Sequence, residues 1–581
     1  MVSARAEDFD VAIIGGGPAG STCSTLLKKY NPALKVLVVE KEKFPREHIG
    51  ESQLPPITPV LEEMGVWDKV EAANFPIKIG ATYRWGSSPD LWDFEFIPAK
   101  YFVSQERPSK LTAQRRMLAF QVERAIYDKI LLDHARECGV DVREETSVSD
   151  VLKTGDHVDG FVLGDGTTIR ARHYIDASGN VGLMRRALGI DITSPTSLRN
   201  IAIWDYWENA EWAVNIGTGA TRVQVLSIGT GWIWFIPLSP TRTSVGFIVL
   251  ADYYKQRGIS PEEMYCEALS KEPNLQKLLR NAKRDGKVRT TKDWSFYSNR
   301  IAGDNWYIIG EAAGFADPIL AGGLTLAHTG ARQCAYCILE SDRDPSGTKW
   351  LKTNYERSQI DRVKQYIRFA DFWYAANGQF EDLRETTKKI AADAGLELNP
   401  REAFRWLSLG GFLLEDVFLP AVGGLDLLAT KEITKIFCGT SEVQWELNKF
   451  THFKLNLMGA TQEKVPIYHQ GRVLRTEAYK RGGRILPMVM LFKSVAETLR
   501  TQQDARALHA AFLQLSESFS RQGLPGSIGQ LYGTLETMLI DNWVTGRVEA
   551  GKPTLNFDPL KYLDPTIHAN RDNKDLAGSA G

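Results

Sequence analysis

Hydrophobic and polar positions follow two regimes along the chain. A short unbroken apolar run, Val11-Ala12-Ile13-Ile14, stops at Gly15-Gly16-Gly17 and yields to Pro18-Ala19-Gly20-Ser21, the pattern of a buried parallel strand feeding a helix. Similar runs at Leu34–Val39, His173–Asp176 and Trp306–Ile309 also end in an acid or a small-residue turn. Leu54–Val70 and Phe120–Cys138 have helical spacing, the latter through Ile126, Ile130, Leu131 and His134. Between residues 201 and 252 the period drops to two, and Ile203–Trp207, Val223–Ile228, Trp232–Pro237 and Thr243–Leu250 predict an antiparallel sheet. Beyond Asp342 the pattern is mostly helical, clearest at Tyr355–Asn377, Phe380–Ala394, Leu486–Leu499 and Ala505–Phe519.

The first glycine turn carries chemistry. Gly15 permits a tight turn, Gly17 lets backbone approach a pyrophosphate, and Gly20 lets helix and strand pack closely. Pro18 and Ala19 then open a helix whose N–H groups face the phosphates. Glu40, twenty residues past Gly20, closes the second strand where a carboxylate accepts from ribose hydroxyls, which argues against a 2′-phosphate. Arg46 lies in the following polar loop within reach of phosphate or ribose, and Gly50-Glu51-Ser52 brings backbone against the ligand. Gln121 and Arg124 begin a helix that would pack on this first unit, and Ala177 lies in a second small-residue turn. Gly322 and Gly323, at another helix start, offer N–H donors to an anion. Lys78 is the only charge in Phe75–Thr82, so it points either outward from an edge strand or inward to a site. Trp232, Trp234 and Ile236 share one strand face, and the two indoles form a bulky wall.

Composition narrows the classes. A chain of 581 residues is too long for one core and implies two or three lobes. Its 70 Lys and Arg against 71 Asp and Glu give a net charge of -1, so no global charge favours nucleic acid or an anionic membrane. The N-terminus has no apolar signal core and no apolar run is long enough to span a bilayer, so a cytoplasmic protein is expected. Six cysteines do not resemble a disulfide framework, and Cys334-Ala335-Tyr336-Cys337 has no second pair to complete a metal site. The aromatic group Phe369, Phe372, Trp373 and Tyr374 reads as core or interface. Between Lys464 and Arg484 six cations face one acid, Glu477, forming either a solvated face or a dock for an acidic partner.

Three turns in order, Gly15–Gly20, Asp176–Gly179 and Gly310–Pro318, resemble the FAD-binding fold of flavin monooxygenases of the hydroxybenzoate hydroxylase type. Where those enzymes usually have Gly-Asp, this chain has Gly310-Glu311. Trp232-Ile233-Trp234-Phe235-Ile236-Pro237 resembles the W-x-W-x-I-P signature of flavin-dependent halogenases, and Lys78 sits where that family carries its essential lysine. The helical C-terminal region and F-A-D-P-I-L-A-G-G resemble the branch containing the chloramphenicol halogenase, whose members often act on carrier-tethered substrates. Leu320 stands where tryptophan-specific halogenases carry a glutamate, which argues against free tryptophan.

The resemblance implies an α/β fold: a discontinuous Rossmann-like FAD-binding domain (1–80, 110–190 and 295–342), an interleaved antiparallel β-sheet substrate domain (81–109 and 191–294), a mostly helical C-terminal domain (343–565) and a flexible tail (566–581). It adds Asp317, Pro318, Gly323 and Leu324 to the FAD contacts, with Asp317 open to a covalent flavin link, and makes Gly322 and Gly323 the halide site. The implied reaction uses FAD reduced by a separate reductase, O2 and chloride or bromide to make hypohalous acid. Lys78 then delivers electrophilic halogen to an electron-rich acceptor, free or on an acyl or peptidyl carrier protein. A single-component hydroxylase or epoxidase and an isoprenoid reductase are the alternatives on this fold.

Overall fold

β1 (Phe9–Ile14), α1 (Pro18–Tyr30) and β2 (Val36–Val39) form the first βαβ unit. The close packing at its turn is literal: a Cβ on Gly20 would lie 1.9 Å from the Gly15 carbonyl oxygen. The chain next contributes β3 (Ile77–Arg84) and β4 (Leu91–Glu95) to a second sheet, and returns through α2 (Arg124–Glu137), β5 (Asp141–Arg143) and β6 (Ala171–Asp176). It leaves again for β7 (Arg199–Glu208), β8 (Ala220–Ile228), β9 (Gly231–Pro237), β10 (Arg242–Leu250) and β11 (Arg289–Trp294). β12 (Trp306–Ile308) completes the first sheet, which is parallel in the order β12-β6-β1-β2-β5. Residues 8–86, 89–196, 198–393, 427–438, 445–482, 484–524, 526–564 and 566–570 are described in this computed structural model.

The second sheet positions the site. Along it run β7, β10, β9, β8, β3 and β4 in that order, antiparallel except for the parallel β8–β3 pair. Strand alternation gives it two apolar faces. One packs Ile203, Ile233, Phe235, Val245 and Phe247 against short helices carrying Met264, Tyr265 and Leu275. The other presents Trp204, Tyr206, Trp232, Trp234, Val223 and Val225 to the main core beside the parallel sheet. α3 (Gly323–Arg343) and α4 (Thr348–Ala375) follow β12, α3 lying on α1 and α4 on α3.

The C-terminal lobe has its own core, including Leu447, Phe453, Val495, Phe512, Leu531 and Trp543. Its described elements include α5 (Leu427–Cys438), β13 (Thr461–His469), β14 (Arg472–Arg481), α6 (Ile528–Ile540) and β15 (Ile567–Asn570). Helices predominate, but the basic run expected as a charged face is the β13–β14 hairpin, turned at Gln470-Gly471 with both residues at positive φ. Of the loose tail expected over 566–581, Ile567–Asn570 instead pairs antiparallel with β4, and 571–581 lie outside the described residues. Four residues are too few to show a period in the sequence, and β4 supplies the partner. No helix among the described residues is long and apolar enough to cross a membrane.

Candidate active site

A cavity of about 1260 Å³ runs from the β1–α1 turn to the second sheet. Its nucleotide end is lined by Gly15, Gly17, Pro18, Ala19, Glu40, Arg46, Arg124, Ala177, Gly310, Glu311, Pro318, Gly323 and Leu324. Glu40 is held by the turn it faces, one carboxylate oxygen accepting the Gly16 N–H at 2.7 Å and the other the Glu42 N–H at 2.9 Å. Arg124 is occupied: it donates to both oxygens of Asp128 at 2.7 and 2.8 Å and to the Ile49 and Gly50 carbonyls at 2.8 and 3.2 Å, tying down the 49–53 segment. Burial raises the Glu311 pKa, opposed by Arg124 and Arg46.

Three expected contacts stand elsewhere. The Gln121 side chain is buried off the cavity, and its backbone bridges to Ser52. Gly322 caps α3 beneath the Tyr366 ring, leaving Gly323 at the cavity. Asp317 lies behind the lining and caps a short turn, accepting the Ile319 N–H at 2.9 Å and the Asn200 amide at 2.9 Å. Its carboxylate is held by these donors and by the Tyr374 hydroxyl.

The second sheet lines one face of the cavity. β9 carries both indoles and lies with β10 and β7 to one side of it in the sheet and β8 and β3 to the other. The rings are tilted at 56° with centroids 6.2 Å apart, so the two indoles form a bent wall, with Trp85 edge-on to Trp232 at 6.3 Å. Each indole N–H is pinned to a hydroxyl. Trp232 donates to the Tyr374 hydroxyl at 2.7 Å, which donates to Asp317 at 3.2 Å. Trp234 donates to Ser244 Oγ at 3.1 Å, beside Glu51, whose carboxylate accepts the Tyr206 hydroxyl at 2.8 Å. Burial pushes Asp317 up to about 6 and Glu51 up to about 7. Tyr374→Phe strands the Trp232 N–H, while Asp317 keeps the Ile319 and Asn200 donors, so a loss of about 1–3 kcal/mol is expected in denaturant unfolding.

Lys78 points inward from β3, two strands beyond β9, with 3 % of its surface exposed. Its Nζ donates to the Gln53 carbonyl at 3.0 Å and lies 5.5 Å from the Phe96 ring centroid. Desolvation alone pushes the amine down to about 7. Around it the cavity is apolar, lined by Ala81, Phe94, Phe96, Val223 and Val225, with Tyr83 stacked on Trp92 at 4.9 Å.

Sequence reading missed the hydroxyls and carboxyls behind the wall. Tyr374 stood in an aromatic group read as core, yet Phe369 and Trp373 line the cavity from the same helix. Glu51 was seen only as backbone, although an acid in a glycine-flanked segment was the available signal. The basic hairpin is also reassigned. Arg472 pairs with Glu340 at 2.8 Å, Lys480 with Glu463 at 3.7 Å, and Arg475 covers Trp350. Trp350 and the cavity-lining Trp373 lie at opposite ends of α4, about 35 Å apart at the helical rise.

The cavity suits a dinucleotide flavin on physical grounds. Its length joins a pyrophosphate-type turn to an aromatic wall, and the buried Arg185 guanidinium lines it with Nε and Nη1 lacking hydrogen-bond partners, as an anionic ligand requires. Comparison with known proteins decides the family: the tryptophan halogenase profile matches residues 10–105 and 99–387. The chain belongs to the tryptophan halogenase family. It is 33 % identical over 390 residues to the 1H-pyrrole-2-carbonyl-[peptidyl-carrier protein] chlorinase of Pseudomonas fluorescens, covering 64 % of this chain and 84 % of that one. To the tryptophan 2-halogenase of Chondromyces crocatus it is 33 % identical, over 71 % of this chain and 75 % of that one. The crystal structure of CmlS, a flavin-dependent halogenase, superposes with a TM-score of 0.70 at 25 % identity, covering 95 % of this chain and 98 % of that chain. This halogenase is therefore an FAD-dependent enzyme with a parallel-sheet nucleotide fold joined to an antiparallel sheet.

Proposed function

We propose that this halogenase oxidises chloride or bromide at the nucleotide end of the cavity and halogenates an electron-rich aromatic acceptor on the Lys78 side of the indole wall. The reading is supported by the place of β9 in the sheet, which puts both indoles at the cavity between Tyr206 of β7 and Lys78 of β3. Reduced FAD with O2 supplies the oxidising equivalents that convert halide to hypohalous acid. Trp232 and Trp234, pinned through Tyr374 and Ser244, keep the organic acceptor from the flavin end. The Lys78 nitrogen takes halogen from hypohalous acid with release of water; the acceptor carbon then takes the halogen, loses its proton and restores the amine. Gly323 and the other cavity-lining groups of the three turns hold the flavin and halide. The 1–342 segments divide between flavin binding and acceptor binding.

A separate reductase supplies reduced FAD, since the sequence has one dinucleotide fingerprint, at Gly15–Gly20. The pyrrolyl-carrier chlorinase relative supports a carrier-tethered acceptor. Mass spectrometry of products formed with FAD, a reductase, NADH, O2 and either halide, offering free and carrier-bound phenolic and pyrrolic acids, tests the assignment. Hydroxylated products without halogen would overturn it.

The amine also sets a pH dependence. With Lys78 lowered to about 7, its lone pair becomes available as pH rises through that value. Single-turnover halogenation is expected to rise through about pH 7, while hypohalous acid caught by a chemical trap does not follow the same curve. A flat product profile would remove the lone pair from the reaction.

A further inference from the structure

The family match ends at residue 387, yet one side chain lining the cavity comes from well beyond it. Ile433, on α5, is 1 % exposed and belongs to the main core rather than the C-terminal one. α5 faces both. Leu428 lies in the C-terminal core, and Lys431 donates to Glu536 of α6 at 2.9 Å. Glu536 also accepts the N–H groups of Glu446 and Leu447, each at 2.9 Å. Two residues past Lys431, about 200° around the helix, Ile433 turns to the cavity. Ile436, three residues on, packs against the same main core.

Its neighbours fix the side of the wall on which it acts. α5 lies against β15, β15 pairs with β4, and Phe94 of β4 lines the cavity next to the strand carrying Lys78. A β-branched side chain has little rotamer freedom, and the buried Lys431–Glu536 pair anchors its helix, so this contact cannot yield easily to a larger ligand.

We propose that Ile433 is a specificity-determining residue, through which the C-terminal lobe sets the size of the aromatic acceptor admitted beside Lys78. This rests on the Lys78 side being the acceptor compartment. Shape and volume do the selecting, because the group offered is a hydrocarbon.

The test is calorimetric binding of phenol, 4-methylphenol and 4-isopropylphenol to FAD-loaded wild type, Ile433→Val and Ile433→Ala. Ile433→Ala is expected to shift preference toward the isopropyl compound by about 10- to 200-fold, the range set by a methylene in an apolar pocket, with Ile433→Val between. FAD affinity and trapped hypohalous acid stay at wild-type levels. An unchanged preference, or no binding by any member of the series, overturns the proposal. Product formation by a Lys78→Met enzyme would instead overturn the compartment assignment, so the two failures are distinguishable.

Discussion

Lys78→Met is expected to bind FAD and release trappable hypohalous acid at wild-type rates while losing acceptor halogenation by about 10³-fold or more. Lys78 stands on β3, two strands from β9, and is not one of the turn residues Gly15–Ala19, Ala177 or Gly310–Glu311, so its removal leaves those groups in place. Methionine keeps the length and apolar volume of the stem, and no carboxylate partner is stranded, because the amine's bond is to the neutral Gln53 carbonyl. The same substitution carries a stability signature. The folded amine titrates near 7 against an ordinary 10.5, so between those values the unfolded chain holds more protons than the folded one. Wild-type stability from this group therefore rises with pH across that window and is flat below it. The Met variant is expected to lack the rise when thermal unfolding is compared at pH 7 and pH 9. Full product formation would remove Lys78 from the reaction; an unchanged pH slope would show that the amine is not desolvated.

Gly246→Ala is expected to displace the Trp234 side of the wall. Trp234 pairs with Gly246 across β9 and β10, and a Cβ there would lie 2.0 Å from Trp234 Cζ2 and 2.3 Å from Cη2. The indole must swing away, breaking its bond to Ser244 and opening the partition. Overpacking of this kind costs about 1–3 kcal/mol, readable in denaturant unfolding. Misplacing the wall is expected to lower halogenated product by about 10²-fold, with more oxidant escaping to the trap. A variant with native stability and native product yield would show that Trp234's placement does not matter.

Much of the molecule was legible in one dimension because it depends on local pattern. Gly15, Gly17, Gly20 and Glu40 lie within one βαβ unit, where spacing alone brings them to the same end of a parallel sheet. Trp232 and Trp234 share a face by strand alternation. The hairpin at Gln470-Gly471 was hidden by its charge, which favoured a solvated-face reading over strand pairing. The partners of Asp317 were not legible, because its neighbours in sequence lie at the cavity while its carboxylate turns to Asn200 and Tyr374.

The sequence by itself determined the nucleotide turn and the strand faces, since each follows from residues close together in the chain, and it carried the motifs from which the family resemblance was read. Tertiary structure decided which way Lys78 points, what pins the two indoles, and that Ile433 reaches the cavity. Those depend on strand order and on contacts such as Trp232–Tyr374, 142 residues apart, which no local period encodes.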